Sequence, residues 1–138
     1  MARILLVDDA IFMRMHIRKS LGEEHTYFEA STGREGIREY KKCKPDLVIM
    51  DITMPDMNGI LAVEGIREYD RTAKIIMCSA MGQQRKIIAA IKAGALNFIV
   101  KPFTQKEICD VVEKTLAMVE MEAANVDEIE AEVQRKMS

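Results

Sequence analysis

The chain has 138 residues, with 20 basic side chains against 22 acidic ones and a formal charge of −2. That length suits one domain with a core of its own, and the near balance excludes the strong basic excess of a dedicated nucleic-acid binder. Hydrophobic residues make up 49% and charged residues 30%, which excludes long disorder. Aromatics are scarce at 5% while methionine reaches 11, so aliphatic and thioether packing must build the core.

Ile4-Leu5-Leu6-Val7 opens the chain as a short apolar run and meets Asp8 and Asp9 at once. That is too short for a signal-peptide core. Ile11 to Leu21 reads as a helix closed by Gly22. Thr26-Tyr27-Phe28-Glu29-Ala30 alternates and reads as an edge strand. Thr32 to Cys43 is helical and stops before Pro45. Leu47-Val48-Ile49-Met50 is a second buried run, ending in Asp51, and Gly59 to Tyr69 spaces Ile60, Val63 and Ile66 in helical steps. Ile75-Ile76-Met77-Cys78 leads into Ser79 and Ala80, followed by a helix over Gln83 to Ala93 that ends at Gly94. Phe98-Ile99-Val100 leads into Lys101 and Pro102, and Thr104 caps a last helix carrying Ile108, Val111 and Val112.

Continuous apolar runs of this kind suit strands covered on both faces of a parallel sheet. Alternating with helices, they predict an open five-stranded α/β fold with five helices on both faces. The longest apolar run, Ile87 to Ile91, is far short of the roughly 20 residues a membrane helix needs. Three scattered cysteines, Cys43, Cys78 and Cys109, and two histidines, His16 and His25, offer neither a disulfide framework nor a zinc pattern. A soluble, cytoplasmic protein with no membrane partner and no nucleic-acid partner is expected.

The last twenty residues differ from the rest. Six acids from Glu120 to Glu132 oppose only Arg135 and Lys136, a local charge of −4 that leaves +2 for the first 118 residues. Val119, Ala123, Val126, Ile129, Val133 and Met137 recur at steps of three and four, which is an amphipathic helix. Asn125 with Glu128 resembles a capping box and favours a new start there. The expected division is 1–120 as the domain and 121–138 as an acidic helical tail, serving as a solvated extension, a dimerisation or docking helix, or a linker.

In open parallel sheets, sites form beyond the carboxyl ends of the strands. There this chain gathers Asp8, Asp9, Asp51, Ser79 and Lys101. Three carboxylates in one crevice repel unless a cation joins them, and oxygen-only ligands suit Mg²⁺. A glycine-rich phosphate cradle after the first run is missing, which argues against a Rossmann or flavin site. A carboxylate with Mg²⁺ and a lysine beside it can attack phosphorus and form an acyl phosphate.

The segments LLVDDA (Leu5 to Ala10), VIMDITMPDMNG (Val48 to Gly59), CSAMG (Cys78 to Gly82) and FIVKPF (Phe98 to Phe103) resemble the receiver domains of two-component response regulators. Within that family the wording is similar to stand-alone chemotaxis regulators of the CheY type. The resemblance implies a flavodoxin-like sheet of order 2-1-3-4-5, an order carried over from the family. It implies that Asp51 accepts phosphate, that Asp8, Asp9, Asp51 and the Thr53 carbonyl hold Mg²⁺, and that Lys101 pairs with the phosphoryl group across a cis bond to Pro102. Ser79 and Phe98 become the switch residues, and Pro55, Gly59 and Pro102 support the loops. The implied partners are a histidine kinase of the CheA type, the flagellar motor switch or another effector, and a phosphatase. The implied chemistry is one self-catalysed phosphoryl transfer followed by slow autodephosphorylation, because of the two positions flanking the water path, Thr53 and Met81, the Met81 thioether offers little to orient water. Monomer is the expected state, with a tail-mediated dimer or a different output as the alternative. An aspartate-nucleophile phosphatase is disfavoured, since those enzymes usually carry a second acid where this chain has Thr53.

Overall fold

The computed structural model describes residues 1–55, 57–118 and 126–137. Five strands alternate with helices: β1 (Arg3–Val7), α1 (Ile11–Leu21), β2 (Thr26–Ala30), α2 (Gly33–Cys43), β3 (Leu47–Asp51), α3 (Gly59–Tyr69), β4 (Ile75–Ala80), α4 (Gln84–Ala93), β5 (Asn97–Lys101), α5 (Gln105–Leu116) and α6 (Val126–Met137). The strands form one parallel sheet in the order β2-β1-β3-β4-β5. This is the flavodoxin-like α/β architecture expected from the sequence.

Alternation along each strand feeds two cores. Leu5, Val7, Val48, Met50, Ile75, Met77 and Phe98 face one way, and α2, α3 and α4 cover them with Tyr40, Val63, Ile66, Ile87 and Ile91. Ile4, Leu6, Leu47, Ile49, Ile76, Cys78 and Ile99 face the other way beneath Ile17 and Leu21 of α1 and Ile108 and Val112 of α5. β2 is the half-buried edge strand that its alternation predicts. Its Phe28 ring lies 4.9 Å from the Arg3 guanidinium.

Helix ends follow from local chemistry. Thr32 accepts from the Glu35 N–H and starts α2. Thr104 and Glu107 form a reciprocal capping box at α5. Gly22 closes α1 at φ 94°, where an L side chain would be strained. β3, β4 and β5 each reach one or two residues beyond the apolar runs, so Asp51, Ser79 and Lys101 belong to the strands themselves.

The tail departs from a solvated extension. α6 lies against α4, with Val133 and Met137 buried and Ile129 packed beside them. The Gln84 side chain at the start of α4 donates to the Met137 carbonyl at 2.8 Å. Lys92 near the end of α4 meets Glu130 at 3.6 Å. The two helices therefore run antiparallel. The physical reason is the step-of-four ridge, which would stay wet without a partner; fully burying one such side chain stabilises by about 1.5–3 kcal/mol. Val119, Ala123 and Asn125 lie outside the described residues, as does the proposed boundary near residue 120.

Candidate functional site

Adjacent strand ends bring the chemistry together. Ala80 is in register with Lys101, and Asp51 with Cys78. Val7 pairs with Met50, which sets Asp8 and Asp51 side by side one step further on. Oxygens of Asp8, Asp9 and Asp51 lie within 4.8 Å of one another. The Lys101 ammonium sits 3.5 Å from Asp51 Oδ1 and 3.6 Å from Asp8 Oδ2. Asp8 is 3% exposed and Asp51 9%, whereas Asp9 opens to solvent. A ligand entering from outside meets Asp9 first.

Each group is held by its neighbours. Asp8 Oδ1 accepts from the Ala10 N–H at 2.9 Å, turning the chain into α1. Arg14 of α1 donates to the Asp8 carbonyl, and its Nε pairs with Glu29 of the edge strand at 2.8 Å. Asp51 Oδ1 is 3.4 Å from the Thr53 N–H. Behind Asp51, Gly59 lets α3 approach the strand closely: a Cβ there would lie 2.8 Å from the Asp51 carbonyl and 2.9 Å from Ile52 Cα. Pro55 is exposed on the same β3–α3 loop, and the Lys101–Pro102 bond is cis, as the resemblance implied.

Burial raises the Asp51 carboxyl above its ordinary value, and the charge of Asp8 adds to the rise, against the pull of Lys101 and the Thr53 N–H. Burial alone would lower the Lys101 ammonium. Its neighbours Cys78, Asp51 and Asp8 outweigh that and hold it above its ordinary value; among them the two carboxylates carry the charge, because burial pushes the Cys78 thiol up to about 12 and leaves it neutral. Two buried oxygens, Asp8 Oδ2 and Ser79 Oγ, have no hydrogen-bond partner among the described residues. An unsatisfied buried oxygen costs about 1–3 kcal/mol. A hard divalent cation would draw on oxygen donors alone and relieve the mutual repulsion of three carboxylates, so the residues present fit Mg²⁺.

Gln83 is a site residue that sequence reasoning missed. Its Oε1 accepts from the Ala80 N–H at 2.8 Å, and its Nε2 donates to Thr53 Oγ1 at 2.9 Å. It thereby ties the β4–α4 loop to the β3–α3 loop next to Asp51. It stands at the N-cap of α4, and nothing in the neighbouring sequence points to its partner Thr53. Phe98 is buried on β5, and Met81 stands 56% exposed on the loop after Ser79 and Ala80.

The chain matches the response regulator receiver domain over residues 4–113. The chemotaxis protein CheY of Thermotoga maritima is 52% identical over 114 residues, covering 81% of this chain and 95% of that protein. CheY of Bacillus subtilis is also 52% identical, over 83% of this chain and 97% of its own length. Both matches leave less than a fifth of this chain uncovered. The crystal structure of a LuxR-family two-component response regulator from Aurantimonas sp. matches with a TM-score of 0.82 at 29% identity, and it covers 97% of this chain and 98% of its own. That match continues into α6. On the shared sheet order, the convergence of acids and lysine, and these matches, the chain belongs to the response regulator receiver domain family.

Proposed function

We propose that this protein is a phosphorylation-activated switch, with Asp51 accepting a phosphoryl group from a histidine kinase of the CheA type. The observation that carries the reading is the convergence of Asp8, Asp9, Asp51 and Lys101 at adjacent strand ends. An Asp51 oxygen attacks phosphorus, the bond to the donor imidazole breaks, its electron pair returns to the ring, and an acyl phosphate forms. Mg²⁺ held by Asp8, Asp9, Asp51 and the Thr53 carbonyl would supply neutralising charge at the phosphoryl oxygens. Lys101 stands close enough to Asp51 to pair with the added group. The Ser79 hydroxyl, buried and without a hydrogen-bond partner among the described residues, could donate to that group. Phe98 has no hydroxyl, so it reports the state through packing alone.

The output is a change in partner binding at the surface of α4, β5 and α5, in chemotaxis at the flagellar motor switch, with a phosphatase as a further partner. The protein acts in the cytoplasm; no helix among the described residues is long and apolar enough to cross a membrane. It performs one self-catalysed transfer, not turnover of an external substrate, and loses the phosphoryl group slowly. Monomer fits best, because the apolar ridge of α6 is spent on the chain's own α4. Mass measurement after incubation with acetyl phosphate and Mg²⁺ tests the reading. A gain of one phosphoryl group is expected, absent in Asp51→Asn. A gain that persists in that variant overturns the proposed acceptor.

A further inference from the structure

The face assigned to output is already covered. α6 lies antiparallel along α4, with Val133 0% and Met137 3% exposed and a polar contact near each end. Charge complements shape. α4 carries Arg85, Lys86 and Lys92 and no acid, whereas α6 opens with Asp127, Glu128, Glu130 and Glu132. At its other end, α6 reaches the switch position, where the Lys136 ammonium lies 5.6 Å from the centre of the Phe98 ring. A single cleft runs from Lys101 past Phe98 and Met81 to Val111, Glu107 and Lys136. Lys101, which pairs with Asp51, and the end of α6 therefore line one cleft.

We infer that the α4–β5–α5 face is a helix-binding surface whose resident occupant is this chain's own α6, and that α6 docking and phosphorylation of Asp51 oppose each other. The inference rests on the reading of Asp51 as acceptor. Lys101 and Phe98 lie on one strand three residues apart, so a movement of Lys101 toward a phosphoryl oxygen shifts the strand whose Phe98 ring lies under the Lys136 ammonium of α6. An incoming partner then takes the vacated surface. The chemistry it must bring is that of α6: an amphipathic helix with apolar side chains at steps of four and a carboxylate for Lys92. The family match ends at residue 113, before α6 begins, so the occluding helix lies outside the shared receiver body.

Amide hydrogen exchange on the full chain tests this, with the mass of the intact protein read from the same samples. Acetyl phosphate with Mg²⁺ should add one phosphoryl group and speed exchange in residues 126–137 about 5-fold or more. Val133→Asp should exchange fast there without phosphate. By reciprocity it should also bind beryllium trifluoride with Mg²⁺, a phosphoryl stand-in, about 5-fold more tightly than the parent. Lys136→Ala, which leaves the apolar ridge intact, should move both readouts the same way by less, and it carries the test if Val133→Asp fails to fold. Full phosphorylation with unchanged or slower exchange in α6, or unchanged stand-in affinity in both variants, overturns the inference and leaves the acceptor reading standing. No phosphoryl uptake at all overturns the acceptor reading, and this inference with it. Tight stand-in binding that depends on protein concentration assigns the occupying helix to a second copy, against the proposal.

Discussion

Asp51 is buried beside another carboxylate, and that placement weakens the fold at neutral pH. Its folded-state pKa lies above the ordinary carboxylate value, mainly through burial and then through Asp8. The stability linked to this group is therefore fully present below the ordinary carboxylate range and lost as pH rises through the raised value. Asp51→Asn removes that loss. In Mg²⁺-free buffer the variant should melt at a higher temperature than the parent at pH 7, and the gap should close as pH falls into the carboxylate range. Thermal melts across that window check it. A parent more stable than the variant at pH 7 would mean that the Lys101 pair outweighs burial. Under the proposed function the same residue combines two roles, one chemical and one destabilising, as functional groups commonly do.

At the scale of elements, the glycine that begins α3 decides how close β3 and α3 can come. Gly59 has no room for a Cβ against the backbone of Asp51 and Ile52, and backbone cannot yield as a flexible side chain can. Gly59→Ala should cost about 1–3 kcal/mol, measured by urea unfolding, and should slow phosphoryl uptake by displacing the β3–α3 loop. An unchanged unfolding midpoint would show that α3 can shift freely. Gly59 was legible in the sequence only through resemblance, whereas the strands and the strand-end acids were legible directly, because apolar runs break sharply at Asp8 and Asp51. The Gln83 brace was not legible: its partner Thr53 lies thirty residues away, and no periodicity reports a contact of that kind. The ridge of Ile129, Val133 and Met137 was visible as a pattern, yet the pattern names a face and not what it packs against. Only the three-dimensional placement shows that the face belongs to α4.

For the whole molecule, a formal charge of −2 describes almost nothing about where charge acts. The acidic tail doubles back onto a basic helix, while three carboxylates crowd one ammonium at the strand ends. A divalent cation binding there would engage groups that are together only in the folded state, so it would stabilise the native chain by mass action. The gain is about 2.7 kcal/mol at a hundred times the dissociation constant. Melting temperature should therefore climb with Mg²⁺ and fall back when a chelator removes it. Na⁺ at matched ionic strength should not reproduce the rise, since screening acts on every surface charge and a site acts on one crevice. Asp8→Asn and Asp9→Asn should each blunt the Mg²⁺ response, read as the rise above each variant's own cation-free melt. A response retained in both variants would move the cation away from the strand ends, to the carboxylates of α6, and would separate the metal from Asp51, the acceptor proposed above.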